Sequence, residues 1–236
     1  MLLSVANLIA GYGRVRILQD VSLGVERGEI LAVIGRNGVG KTTLMRTLIG
    51  AITPMSGKIA LEARDITALG PAQRARLGIG YVPQGRGIFG RMTVADNLVL
   101  GQSVGGGVGG GGAPDLDRVY RFFPILRERL GQLAGSMSGG QQQQLAIGRI
   151  LAGRPSLILL DEPSEGIQPN IVQQIAGIIR RLRDEQALTV VIVEQNLDLI
   201  QAVADRCIVM DKGTIVAQLA TAEIRDPAVA KRYLAI

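Results

Sequence analysis

The stretch Gly35-Arg36-Asn37-Gly38-Val39-Gly40-Lys41-Thr42 sets three glycines before an ammonium and a hydroxyl, in the pattern G-x-x-x-x-G-K-[ST]. Those groups suit phosphate chemistry. Glycine lets the backbone curl so that successive N–H groups converge on phosphate oxygens, and a helix starting at Lys41 adds the partial positive charge of its N-terminus. Lys41 then reaches the β- and γ-phosphates of a nucleoside triphosphate, the Thr42 hydroxyl goes to Mg²⁺, and Thr43 donates to the α-phosphate. Far downstream, the apolar run Leu157-Ile158-Leu159-Leu160 ends in Asp161-Glu162 beside Pro163. A hard cation already held by phosphates takes one further carboxylate, which assigns Asp161 to Mg²⁺ through the cation's water shell. Glu162 is left to orient or deprotonate an attacking water.

Both sets need elements to hold them. Ile30-Leu31-Ala32-Val33-Ile34 is continuously apolar, as expected of a strand covered on both faces, and it feeds directly into Gly35. A helix is expected from Lys41 to about Gly50. Leu2–Leu8, Ile17–Val25, Glu29–Ile34 and Lys58–Leu61 suit strands, giving a β-rich first third. Leu157–Leu160 and Thr189-Val190-Val191-Ile192-Val193 are further buried-strand candidates. Between them Ile171, Ile175, Ile178, Ile179 and Leu182 recur at helical spacing, and strand–helix–strand predicts a parallel sheet. The pattern from Met92 to Arg154 is helical, interrupted by the low-complexity run Gly105–Gly112, which reads as a flexible surface loop. Asp211-Lys212-Gly213 punctuates a hairpin, and Asp226-Pro227 reads as the start of a short closing helix.

Composition removes whole classes of chemistry. The 236 residues contain no histidine, so Ser-His hydrolysis, histidine metal sites and histidine proton shuttles are excluded. One cysteine, Cys207, forbids an internal disulfide, points to a reducing compartment and reads as core packing in Cys207-Ile208-Val209-Met210. The N-terminus lacks a signal-peptide pattern, and no apolar run is long enough to span a bilayer, so a soluble cytoplasmic chain is expected. The net charge of +6 permits contact with nucleic acid or an anionic membrane. However, aromatics make up only 3% of the chain, and Arg74, Arg76, Arg118, Arg121, Arg127 and Arg129 are dispersed through helical segments, which reads as a solvated basic face.

Between the phosphate loop and Leu157 lies Ser138-Gly139-Gly140-Gln141, and with it the order of motifs resembles the ABC ATPases along essentially the whole chain. Tyr12 falls where that family stacks an aromatic on adenine. Gln84, in Val82-Pro83-Gln84-Gly85, resembles the Q-loop glutamine, which implies a contact with nucleotide and metal, and Glu162 matches the catalytic glutamate. Ser138-Gly139-Gly140-Gln141 opens a second helix whose N-terminus is another anion site. The resemblance implies that it closes over nucleotide held by a second subunit.

The implied fold is an α/β P-loop NTPase with a mostly parallel core sheet, an antiparallel β subdomain and a helical subdomain. It forms a single ABC ATPase domain, with 1–84 and 155–236 as nucleotide-binding core and 85–154 as helical signature subdomain. The implied cofactors are ATP and Mg²⁺. The implied partners are a homo- or heterodimeric ATPase mate, integral membrane permeases touched by the helical insert and, indirectly, a periplasmic solute-binding protein. That arrangement puts the chain on the cytoplasmic face of a bacterial inner membrane, and nucleic acid is not expected as a partner.

Two positions depart from the family. Its switch histidine is Gln195 here, which donates to a γ-phosphate but cannot take a proton, leaving Glu162 as principal base. Its D-loop aspartate is Gln168. Val193-Glu194-Gln195-Asn196, Tyr81–Arg86 and the long Ser138–Ala146 stretch look like the second ATPase of hydrophobic amino acid and amide importers. The phosphate loop and Glu165-Gly166-Ile167-Gln168-Pro169 lean to the urea or short-amide type over the branched-chain amino acid type. A non-transport ABC ATPase acting on nucleic acid or ribosomes and a purely regulatory nucleotide-binding module are the other readings; the chain has one cassette and no heptad run.

Overall fold

The computed structural model describes residues 1–104 and 116–224. The glycine run Gly105–Gly112 and the helix expected at Asp226-Pro227 lie outside them. The chain opens with β1 (Leu3–Tyr12), β2 (Val15–Val25) and β3 (Ile30–Ile34), then α1 (Lys41–Leu48). β4 (Ser56–Leu61), β5 (Arg64–Asp65), α2 (Pro71–Arg76) and β6 (Ile79–Val82) follow. A helical stretch comes next: α3 (Val94–Val104), α4 (Leu116–Phe122), α5 (Pro124–Glu128) and α6 (Gly139–Ala152). The chain then runs through β7 (Leu157–Asp161), α7 (Pro169–Gln186), β8 (Thr189–Val193), α8 (Leu197–Val203), β9 (Arg206–Asp211), β10 (Thr214–Ala220) and α9 (Thr221–Ile224).

Two sheets result. β2-β1-β4-β5 is antiparallel, whereas β10-β9-β3-β8-β7-β6 is parallel except for its terminal hairpin. The expected parallel pairing of the strands flanking α7 is present, as β7 against β8. Every residue of β3, β7 and β8 is buried, which is why these strands read as unbroken apolar runs. Alternate side chains serve opposite faces. Ile30, Ala32 and Ile34 join Ile158, Leu160, Val190 and Ile192 in the core under α6, α7 and α8, while Leu31 and Val33 join Leu157, Leu159 and Val191 in a second core with α1 and the antiparallel sheet.

Register decides where chemistry can happen. Val33 pairs with Val193, and Val193 pairs with Asp161, so β3, β8 and β7 end at one level. Their carboxyl ends deliver Gly35, Glu194 and Glu162 to the same crevice, where parallel sheets place ligands. The Asp211-Lys212-Gly213 hairpin forms as expected, with Lys212 at φ 44° and Gly213 at φ 82°, the left-handed pair that a two-residue turn requires. Gly213 donates to the Val39 carbonyl at 2.9 Å, so this turn also braces the phosphate loop. A Cβ on Gly213 would lie 1.9 Å from the Ile17 carbonyl oxygen. Cys207 is fully buried, and that burial pushes its thiol up to about 12.

One expectation fails outright, because Arg74 is not on a solvated basic face. It is fully buried, and its guanidinium donates to the carbonyls of Leu69, Thr47, Leu48 and Thr67 at 2.7–3.0 Å. Thr47 and Leu48 end α1, where the dipole favours a cation; the Thr47 carbonyl also accepts the Gly50 amide at 3.1 Å. Burial draws Arg74 down to about 10, which still leaves it charged at neutral pH. Replacing it by an apolar chain removes the guanidinium from all four carbonyls and, among the described residues, leaves only the Thr47 carbonyl with its Gly50 amide, so Arg74→Met is expected to cost about 2–4 kcal/mol in urea unfolding. A change near zero would show that water replaces the guanidinium.

Candidate functional site

The loop after β3 is shaped by its glycines. Gly35 takes φ 147°, where a Cβ would sit 2.3 Å from the Met210 carbonyl oxygen, and Gly38 and Gly40 take φ 80° and 108°. Gly40 caps α1, so the free amides of the first turn face the loop mouth. Lys41 Nζ donates across the loop to the carbonyls of Gly35 and Arg36 at 2.8 and 2.9 Å. Burial lowers the Lys41 pKa, opposed by the nearby charges of Glu162, Asp161 and Glu194. Asn37, Gly38, Gly40, Lys41, Thr42 and Thr43 line a cleft of about 640 Å³. Val39 packs into the core below the loop, and Arg36 is exposed outside the cleft.

Across the cleft stand the acids. Asp161 is 1% exposed; burial raises its pKa, offset by hydrogen bonds from Tyr81 at 3.2 Å and Thr42 at 3.3 Å. Thr42 Oγ1 and Asp161 Oδ1, 3.3 Å apart, are two hard oxygens of the kind that Mg²⁺ or its bound waters take. The donor set fits the cation. Glu162 turns out of the strand at φ 48°, and its amide donates to the Val193 carbonyl at 2.9 Å. Its carboxylate accepts from Gln84 Nε2 at 3.1 Å and from Gln195 Nε2 at 2.8 Å, and Gln195 Nε2 also donates to Asn37 Oδ1 at 2.7 Å. One contiguous polar network therefore joins residues 37, 84, 162 and 195. Tyr12 lines the same cleft, half-exposed, with Arg46 donating to its hydroxyl at 3.3 Å.

The second glycine motif stands apart. Ser138 caps α6 in a reciprocal box with Gln141, the Gln141 amide donating to the Ser138 hydroxyl and the Ser138 amide to Gln141 Oε1. Among the described residues, Ser138 and Gln141 border a separate depression with Phe122 and Ile171; Gly139 and Gly140 line neither it nor the phosphate cleft. Sequence reasoning gave no role to Tyr81, Arg46, Arg86 or Glu194. Arg86 ties the loop of Gln84 to α6, donating to Gln142 Oε1 at 3.0 Å and to the Glu165 carbonyl at 3.4 Å. For Glu194 a signal was available: a carboxylate directly after a buried strand, the same arrangement as Asp161-Glu162.

Comparison with known proteins agrees with this geometry. The family described as "ABC transporter" matches residues 18–165. The high-affinity branched-chain amino acid transport ATP-binding protein BraG of Pseudomonas aeruginosa is 43% identical, with 99% of each chain covered. The lipopolysaccharide export system ATP-binding protein LptB of Escherichia coli is 37% identical over 98% of this chain and 96% of that one. A crystal structure of a nucleotide-free ATP-binding cassette from an ABC transporter superposes with a TM-score of 0.85 at 28% identity, covering 100% of this chain and 98% of that one. With the family match spanning more than half of the sequence and a relative matching along nearly all of it, the chain belongs to the ABC transporter family, as one of its ATP-hydrolysing ATP-binding subunits.

Proposed function

We propose that this subunit powers an importer for branched-chain amino acids by hydrolysing Mg²⁺-bound ATP in the cleft between Lys41 and Glu162. The observation that carries the chemistry is the meeting of phosphate loop, Asp161, Glu162 and Gln195 in that cleft. In this reading the α1 N-terminus and Lys41 grip the phosphates, Gly35–Thr43 shape the grip, and Tyr12 stacks on adenine. Thr42, Asp161 through a water shell, and Gln84 would hold Mg²⁺. Bound there, the cation neutralises phosphate charge. Glu162 deprotonates the attacking water and Gln195 steadies Glu162 while donating toward the γ-phosphate. Because Ser138, Gly139, Gly140 and Gln141 do not line their own chain's cleft, they are assigned to the nucleotide of a second ATPase subunit, and the working unit is a dimer.

Transport requires a membrane partner. Among the described residues no helix is long and apolar enough to cross a membrane. An apolar groove of about 410 Å³ runs between the core and the helical stretch, lined by Ala72, Tyr81, Phe89, Leu100 and Ile150. Its lining suits a permease segment, which would hold the subunit on the cytoplasmic face of the membrane and link it indirectly to a periplasmic binding protein. The two lobes on its sides are assigned to 1–84 with 155–236 and to 85–154. BraG's identity above LptB's favours branched-chain amino acid uptake over export. The stretch Glu165–Pro169 favours the second reading, urea or short amides. Reconstitution with permeases and binding protein decides: leucine-stimulated ATPase supports the first, urea- or acetamide-stimulated ATPase the second. Stimulation by none of them overturns both.

A further inference from the structure

We infer that Glu194 is a positioning residue for hydrolysis, locking the loop that follows Glu162 to the turn that presents Gln195. The inference rests on the reading of Glu162 as the base. Glu194 is the first residue past β8 and is 2% exposed. Its Oε1 accepts the Ser164 amide at 2.8 Å, and its Oε2 accepts the amides of Gln195 and Asn196 at 2.9 and 3.0 Å. Ser164 belongs to the loop leaving β7, and the other two donors belong to the turn leaving β8. One carboxylate therefore spans two loops that are distant in sequence.

Charge is what makes the bridge possible. A buried carboxylate is costly unless dipoles or cations surround it, and three convergent N–H groups supply that compensation. A carboxylate has two accepting oxygens and no donor, whereas a carboxamide of the same shape has one acceptor and a donor that opposes an amide N–H. Only an acid of this length accepts from both loops at once. What the bridge fixes is the approach of Gln195 to Glu162. Gln195 has its backbone held by Glu194 and its side chain held between Glu162 Oε1 and Asn37 Oδ1. Asn196, the next donor, caps α8 by accepting the Leu199 amide at 3.1 Å. Glu162 is fixed behind by its bond to Val193 and ahead by the anchored Ser164.

The phosphate grip is built from other groups, the α1 amides and Lys41, so loosening the bridge should slow chemistry without releasing nucleotide. Glu194→Gln removes the charge and one acceptor; Glu194→Asp keeps the charge, which Lys41 also feels, but is too short to reach both loops. Both variants are expected to lower kcat by about tenfold or more while the ATP Kd, read by fluorescent-nucleotide titration, stays within about threefold. In a Glu162→Gln background, Glu194→Gln should add no further loss, as expected when one residue acts through the other. The assignment is overturned if kcat is unchanged, if affinity falls as far as kcat, if the losses simply add, or if both variants fail to fold. Should Glu162→Gln alone retain turnover, the reading of Glu162 as base falls. Should it abolish turnover while the Glu194 variants keep theirs, only the present inference falls.

Discussion

Lys41→Ala is expected to weaken ATP binding by about 10–100-fold, because the charge-assisted hydrogen bonds an ammonium makes to phosphate contribute about 1.5–3 kcal/mol each. Turnover should fall further, by about 10²–10³-fold, since charge builds on the γ-phosphate oxygens as the bond breaks and a fixed cation there acts mainly on the transition state. The geometry supports a fixed cation. Lys41 Nζ is already oriented by the carbonyls of Gly35 and Arg36, so little ordering is needed when phosphate enters. The same bonds hold the loop in its curl, and their loss adds a small fall in melting temperature. Nucleotide titration and steady-state hydrolysis together check the result. Parent-like values for both would remove the phosphate loop from function.

Glu162→Gln separates binding from chemistry. The exchange keeps shape, and one carboxamide oxygen still accepts from Gln84 or Gln195, so affinity for ATP should stay within about threefold while kcat falls about 10²–10⁴-fold with loss of the general base. No other residue of the network substitutes. Gln195 takes no proton, Asp161 is bonded to Thr42 and Tyr81, and Glu194 is buried and held by three amides. Glu165 also lines the cleft, and it makes the control: Glu165→Gln should leave kcat near the parent value. If the Glu162 variant turns over normally and the Glu165 variant does not, the base has been assigned to the wrong acid.

How much of this was legible beforehand follows from local physics. β3, β7 and β8 could be read directly because both faces of each are covered, which demands an unbroken apolar run. β6 carries no such signal: Ile79–Val82 has only four residues, contains Gly80, stops before Pro83 and pairs on one side only, with β7. Arg74 was misplaced because an arginine in a polar helical stretch carries no local mark of burial. Its four acceptors come from segments around residues 47, 67 and 69, and only their convergence makes an interior site for a cation.

The candidate site divides in the same way. Gly35 to Thr42 declares its chemistry locally, because a phosphate loop is made from consecutive backbone amides whose conformation the glycines permit. Asp161-Glu162 declares itself as a strand end. The distance between these groups is not a local property. It depends on β3 lying beside β8 and β8 beside β7, in a register that ends Val33, Val193 and Asp161 together. That register is written in hydrogen-bond ladders and interleaved side chains of segments far apart in sequence. The sequence by itself thus determined the phosphate-loop pattern and the pair of acids at a strand end. Tertiary structure alone decided that Gln84, Glu162, Gln195 and Asn37 share one network, that Glu194 underpins it, and that Ser138 lies outside it. The physical reason is that backbone dihedrals answer to neighbouring residues, whereas strand pairing and buried-polar satisfaction answer only to the assembled core.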